Sequence, residues 1–320
     1  MKIGTIEVPG HGALAPMAGV TDLAFRTICA EMGAGMTVTE MVSSRALVYQ
    51  DKKSRGLLKR NPGVCGAQIF GNDPATMAEA AVMAVEISGC DFIDINMGCP
   101  MPKIAQHGDG AGLMKEPELA GRIVKAVSDA VKVPVTVKCR LGWDKGSINV
   151  LDFAPRMEDN GAKAITVHGR TRSMLYTGVA DWDCIGKVKK VLSVPLIANG
   201  DIVSGAKAAE CLRRTGADYL MVGRATFGDP WLFTEINQAL EGQEITPKPP
   251  LSQRMETARK QILLALEDKG EHIACLEARK HLAWYLRGVA YAAYYKEKIS
   301  HISSVAEAME IIEGIKKDLR

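Results

Sequence analysis

The chain has 320 residues, 47% of them hydrophobic, 24% charged and 5% aromatic, with a formal net charge of +3. That length allows one large α/β domain or a barrel of about 250 residues with an appendage, and so mild a charge excludes neither an RNA partner nor a small molecule. No run of about 18 apolar residues occurs, the first residues lack the apolar core of a signal peptide, and the eight cysteines show no C-x-x-C pair or zinc-type spacing. A cytoplasmic protein with reduced thiols, no metal and no membrane segment is expected, and a monomer is the simplest assembly.

Short β-rich runs are predicted at residues 13–17, 36–41, 65–70, 92–97, 135–140, 164–168, 195–199 and 219–223. Between them lie amphipathic stretches such as 74–88, 117–131 and 204–215, several opening with Asp-Pro, Glu-Pro or Ser, which suit a helix N-terminus. Continuous apolar strands alternating with helices imply a parallel sheet covered by helices. Eight such units predict a closed (β/α)8 TIM barrel, expected to occupy residues 1–245, its eighth helix opening near Pro230 and Trp231. The proline-rich stretch 246–250 reads as a linker. Beyond it only helical periodicity remains, at 254–269, 273–295 and 303–319, which predicts a small all-helical domain over residues 246–320.

The polar residues fall at predicted strand ends, where a barrel gathers its active site. Pro16, Met17 and Ala18, then Gln68, Asn96 with Cys99, Lys138 with Arg140, His168 with Arg170, Asn199-Gly200-Asp201 and Gly223-Arg224 all sit there. Buried polar groups cost several kcal/mol unless paired, so a polar ligand in the mouth is the simplest partner. The glycines after the seventh and eighth strands, with Arg224 and a helix start at Ser204, suit a phosphate. Cys99 is held between Gly98 and Pro100, with Asn96 before it and Lys103 after it, so an amide, a thiol and an ammonium can share one volume. A buried turn cysteine is the plainer alternative. Gly108 to Gly112 lacks the dinucleotide spacing and reads as a mobile loop. In the tail, Arg279, Lys280, His281, Arg287, Lys296 and Lys298 interleave with Trp284, Tyr285, Tyr291, Tyr294 and Tyr295. That face suits RNA phosphates and exposed bases, or is an ordinary helix with a solvated basic side.

Six motifs in order, APMAGVTD (15–22), NMGCPMPK (96–103), VKCRLG (137–142), VHGRTR (167–172), IANGDI (197–202) and MVGRA (221–225), together with RKHLAWY (279–285), resemble the tRNA-dihydrouridine synthases, the bacterial B-type branch in particular. The resemblance covers essentially the whole chain. It implies an enzyme using FMN, with NADPH as electron source, to reduce the C5=C6 bond of selected uridines in tRNA. It further implies that Pro16, Met17, Ala18, Gln68, Lys138, His168, Asn199, Gly200, Asp201, Gly223 and Arg224 hold the flavin. Asn96, Arg140 and Tyr176 would address the uracil edge, with Lys103, Arg170, Arg279, Lys280 and Arg287 toward the RNA, and Cys99 would be the general acid. Three other readings stay open: a flavin barrel oxidoreductase acting on a small molecule, a catalytically silent RNA-binding relative, and a flavin-free phosphate-binding barrel such as an aldolase or isomerase.

Overall fold

The computed structural model describes residues 1–319. Eight strands, β1 (Gly12–Leu14), β2 (Met36–Val38), β3 (Val64–Phe70), β4 (Phe92–Met97), β5 (Val135–Cys139), β6 (Ala164–His168), β7 (Leu196–Asn199) and β8 (Tyr219–Val222), pair in parallel with their sequence neighbours. β8 returns to β1 and closes the ring, which is the expected TIM barrel. Side chains alternate along a strand. In β4 this puts Ile93, Ile95 and Met97 into the core beneath the helices and Phe92 into a second apolar cluster with Met36, Ile197 and Tyr219 that fills the barrel floor. The same period turns Asp94 and Asn96 inward, above Phe92.

The outer ring comprises α1 (Leu23–Glu31), two short helices at Ser44–Val48 and Lys52–Gly56, then α2 (Pro74–Ser88), α3 (Pro117–Ala130), α4 (Val150–Asp159), α5 (Trp182–Lys189), α6 (Gly205–Thr215) and α7 (Leu232–Leu240). Their boundaries are set locally. Asp73 caps α2 by accepting the amide of Thr76 at 2.7 Å, Pro74 occupies the first turn, and Gly89 ends the helix at φ 58°.

Past the linker, α8 (Leu251–Lys269), α9 (Glu271–Tyr285), α10 (Ala293–Ser300) and α11 (Val305–Asp318) bury their own core of Met255, Ile262, Leu282, Tyr285, Ile299, Ile312 and Ile315. The single helix expected over 273–295 is instead two. The chain leaves α9 after Tyr285, and Gly288 at φ 76° with Tyr291 at φ 58° turns it before α10 begins. Apolar periodicity continues through that break, which is why spacing alone did not show it.

The helical unit docks along α1 and on the loops after β1 and β8. Trp284 stacks on Phe227, just past β8, with ring centres 4.2 Å apart. Lys269 bridges Asp22 at 2.8 Å and Glu277 at 2.7 Å, while Lys260 reaches Glu31 at 2.6 Å. Lys280 donates to the carbonyl of Gly19, in the loop after β1, and the amide of Gly19 donates in turn to the buried carboxylate of Glu40.

Candidate active site

Strand register builds the site. Gln68, Asp94 and Thr136 lie opposite one another on β3, β4 and β5, and one step higher Asn96 faces Lys138. Gln68 Nε2 donates to Asp94 Oδ2 at 2.6 Å and Thr136 Oγ1 donates to Asp94 Oδ1 at 2.6 Å. Burial raises the Asp94 carboxyl to about 6, against the pull of Thr136, Gln68 and Lys138. Lys138 donates from Nζ to Asn199 Oδ1 at 3.0 Å, and Asn199 Nδ2 donates to the carbonyl of Met221 at 2.8 Å. Burial, and next the neighbouring Arg140, lower Lys138 from 10.5 to about 8, so it remains mostly cationic at neutral pH. His168 is buried, and desolvation together with Lys138, Arg140, Arg170 and Arg224 holds its imidazole well below the usual histidine value. Its Nε2 lies 3.3 Å from Arg170 Nη1, which can only donate, so the neutral ring carries its proton on Nδ1.

At the ends of β7 and β8 the backbone forms an anion cradle. The amides of Gly200, Asp201, Gly223 and Arg224 donate no hydrogen bond among the described residues. Gly200 is buried at φ 117°, and a Cβ there would sit 2.8 Å from Ala180 Cβ and 3.0 Å from the His168 ring, so only glycine fits. Asp201, at φ 56°, gives its carboxylate to Arg170: both oxygens accept Arg170 Nη2 at 2.8 Å, Oδ2 also accepts the amide of Ala180, and Oδ1 lies 4.0 Å from Arg224 Nη2. The remaining donors of Arg170 go to the carbonyls of Thr177 and Gly178. Asp201 and Arg170 are thus a clamp that sets the cradle's shape. The helix start at Ser204 does not add to it, because Glu235 accepts the amide of Gly205 at 2.8 Å and Ser204 caps Lys207.

Cys99 follows directly. It is the one cysteine only partly buried among the described residues, and burial raises its thiol above the ordinary value against the pull of the Met101 amide, Arg140 and Lys138. Asn96 Oδ1 accepts the amides of Gly98 at 3.1 Å and Cys99 at 2.9 Å, while its Nδ2 donates to Gln68 Oε1 at 2.9 Å. Arg140 donates from Nε to Gly98 O and from Nη1 to the carbonyls of Thr171 and Leu175, each at 2.8 Å. Its Nη2 has no hydrogen-bond partner among the described residues. Tyr176 lies between two guanidiniums, its ring centre 5.5 Å from that of Arg140 and 4.9 Å from that of Arg224. Of the stretch expected as a mobile loop, Gly110 to Gly112 are buried and open a 3-10 turn, Gly110–Lys115, while Gly108 and Asp109 precede it. Gly110, at φ 55°, packs so closely that a Cβ would lie 3.0 Å from Cys99 Cβ, and Ala111 donates to Cys99 O at 3.1 Å. Gly110 thus serves close approach to the thiol turn, and Gly112 close approach to Ala105 O.

Met17 sits beside Gly223, with Pro16 half-buried and Ala18 exposed in a turn closed by the amides of Val20 and Thr21 on Met17 O. Lys103 is exposed just beyond the thiol. The three tail cations lie apart from the cradle and from one another in duty: Arg279 donates twice to Ile302 O, Lys280 holds Gly19, and only Arg287 is exposed with no partner among the described residues. Asp94 and Glu40 escaped the sequence reading. The available signal for Asp94 was its inward position, two residues from both Phe92 and Asn96 in a strand buried on both faces.

A parallel barrel with a thiol, a buried ammonium and a backbone anion cradle at the C-terminal ends of its strands is the plan of a ligand-binding β/α-barrel enzyme. The dihydrouridine synthase family model matches residues 13–319. The chain is 41% identical over 316 residues to tRNA-dihydrouridine synthase B of Vibrio vulnificus, covering 98% of each, and 42% identical over 316 residues to that of Escherichia coli, again covering 98% of each. It belongs to the dihydrouridine synthase family. Solved structures share the fold at low identity: histamine dehydrogenase from a Rhizobium species, with a TM-score of 0.60, 15% identity and coverage of 82% of this chain and 50% of that one, and morphinone reductase, with a TM-score of 0.55, 12% identity and coverage of 78% and 90%. Among the described residues no helix is long and apolar enough to cross a membrane, and no cluster of His, Cys, Asp and Glu is suited to a metal ion.

Proposed function

We propose that this protein reduces the C5=C6 bond of selected uridines in tRNA to 5,6-dihydrouridine, with FMN as resident cofactor and NADPH as electron donor. The observation that carries the reading is a partly exposed thiol, Cys99, on the rim of the same mouth that holds the unpaired amides of the anion cradle and Lys138. Family membership supports the same reaction.

The residues present fit a flavin phosphate, because four unpaired amides beside Arg224 match an anion, and Lys138 matches a ring that becomes negative on reduction. Met17, Gln68, Lys138, His168, Asn199, Gly200, Gly223 and Arg224 would hold the group, with Pro16 and Ala18 beside it and Asp201 shaping the cradle. When bound, the flavin brings hydride chemistry, recharged from NADPH, to the mouth. Cys99 keeps a proton on Sγ for delivery to C5, and its raised pKa preserves that proton at neutral pH. Arg140 aims Nη2 at a uracil carbonyl, where it offsets charge developing on oxygen, and Tyr176 covers the opening. A stacked base cannot reach this depth, so the uridine must be flipped out, and we assign residues 246–320 to gripping the RNA while it is.

Mass-spectrometric mapping of dihydrouridine in total RNA from cells with and without the gene tests this. Loss at defined positions is expected, with Cys99→Ala retaining flavin but not restoring the signal. Survival of every dihydrouridine, with no redundant enzyme present, would sink the proposal and turn attention to small-molecule substrates.

A further inference from the structure

We propose that Asp94 is a positioning residue for the Cys99 turn, acting through Gln68 and Asn96. The argument is one of hydrogen-bond polarity. A carboxylate only accepts, and Asp94 accepts from Thr136 and from Gln68 Nε2. Holding Nε2 there turns Gln68 Oε1 the other way, where it accepts Asn96 Nδ2. Asn96 must then present Oδ1 to the turn, and that oxygen takes the amides of Gly98 and Cys99. Either amide alone could run in both directions. One acceptor-only group at the end of the chain selects the direction in which an oxygen, rather than an NH2, meets two backbone N–H groups.

The chain is shielded from water. Gln68 is 1% exposed, Asp94 2%, Thr136 3% and Asn96 8%, so water offers few alternative partners for these groups. It also gives Asn96 a duty inside the protein: Oδ1 and one N–H of Nδ2 are engaged there, and the residue fixes where the thiol turn stands. Asp94 sits a full layer below the mouth and touches neither the thiol nor the cradle, which is why it is a positioning residue and not a catalytic one.

Asp94→Asn keeps the shape and removes the polarity, since its own NH2 can oppose Gln68. Hydrogen exchange of the full-length protein, read on the peptide spanning residues 92–101, is expected to quicken at Gly98 and Cys99 by about tenfold, the equivalent of one net hydrogen bond. In the reaction proposed above, on which this arm rests, kcat should fall on the order of 10- to 100-fold, as for a displaced reacting group, while KM for RNA stays within about twofold. Alkylation of Cys99 by iodoacetamide adds a second readout, because the other cysteines are buried, and its rate should change in step with exchange. Gln68→Met cuts the chain at its middle and should quicken exchange likewise, which keeps the test alive if Asp94→Asn does not fold. Wild-type exchange and alkylation in the folded variants would overturn the inference, as would a change confined to KM for RNA. If the wild-type protein reduces no uridine, the functional reading falls, while the exchange and alkylation arms still decide the role of Asp94.

Discussion

Replacing Asp201 with Asn tests whether the cradle is held in shape by the Arg170 clamp. Asparagine tolerates the left-handed conformation that residue 201 adopts at φ 56°, so Asp201→Asn removes a charge and little else. Arg170 is 2% exposed and loses its ion-pair partner with no water to replace it. Breaking one side of a buried pair costs about 3–5 kcal/mol; because the Asp201 side chain is itself 29% exposed, the lower end, about 3 kcal/mol, applies. For a barrel unit of roughly 240 residues, with an unfolding entropy of about 2.1 cal/mol/K per residue, that corresponds to a fall in Tm of about 6 °C. Thermal melts followed by circular dichroism should show this shift equally at low and high salt, since screening reaches a buried pair poorly. Flavin should bind more weakly in parallel, because the amides of Gly200 and Asp201 lose their brace. A shift below about 2 °C, or one that disappears in salt, would show that Arg170 is stabilised by the carbonyls of Thr177 and Gly178 alone and that the clamp reasoning is wrong.

The raised Asp94 carboxyl binds its proton more tightly folded than unfolded, so its contribution to stability is present in acid and is lost as pH rises through about 6. Activity should run the other way: kcat falls as pH drops through about 6, when protonation ends the acceptor-only character of Asp94, and a pH profile of Asp94→Asn lacking that acid limb would confirm the assignment. At the alkaline end, Cys99 should keep its proton beyond the ordinary thiol range, so a rate lost already near neutrality would contradict its role as acid. Gly228→Ala should undock the helical unit, because residue 228 lies at φ 71° and its Cβ would meet Trp284 O at 2.2 Å; an unchanged radius of gyration by small-angle scattering would refute this. Arg287→Ala should weaken tRNA binding and lower the salt slope by about one, measured by binding titrations at several salt concentrations. Arg279→Ala should instead destabilise the helical unit by about 1–3 kcal/mol, by removing the donor to Ile302 O, and a pure loss of RNA affinity without a lower Tm would reverse that division.

Much of the barrel could be read in advance because buried parallel strands advertise themselves as apolar runs that end in turn formers. Phe92–Met97 and Ala164–His168 coincide with their expected bounds, and the remaining strands differ mainly at their ends. What spacing could not give was direction. Arg170 and Asp201 both stand at strand ends, yet they point at each other; Asn96 faces the thiol turn, and Arg279 faces a carbonyl of its own domain. The glycine-rich stretch at 108–112 shows a related limit, since composition signals freedom of φ without telling whether that freedom serves motion or, as at Gly110, close packing. Asp94 was hidden by the success of the strand prediction, because a charge inside an apolar run is easily absorbed into it.

The docking of the helical unit has a consequence for how the ring stays shut. β1 is the thinnest stave, with one registered pair to β2 and three to β8, so the cylinder is least stitched along its first strand, which is also where the ring closes. Lys280 grips the loop after β1 and Trp284 stacks on the loop after β8, from adjacent turns of a single helix. α9 is therefore a clasp laid across the seam, and the part of the molecule proposed to hold the RNA is the same part that fastens the two ends of the barrel beside the anion cradle.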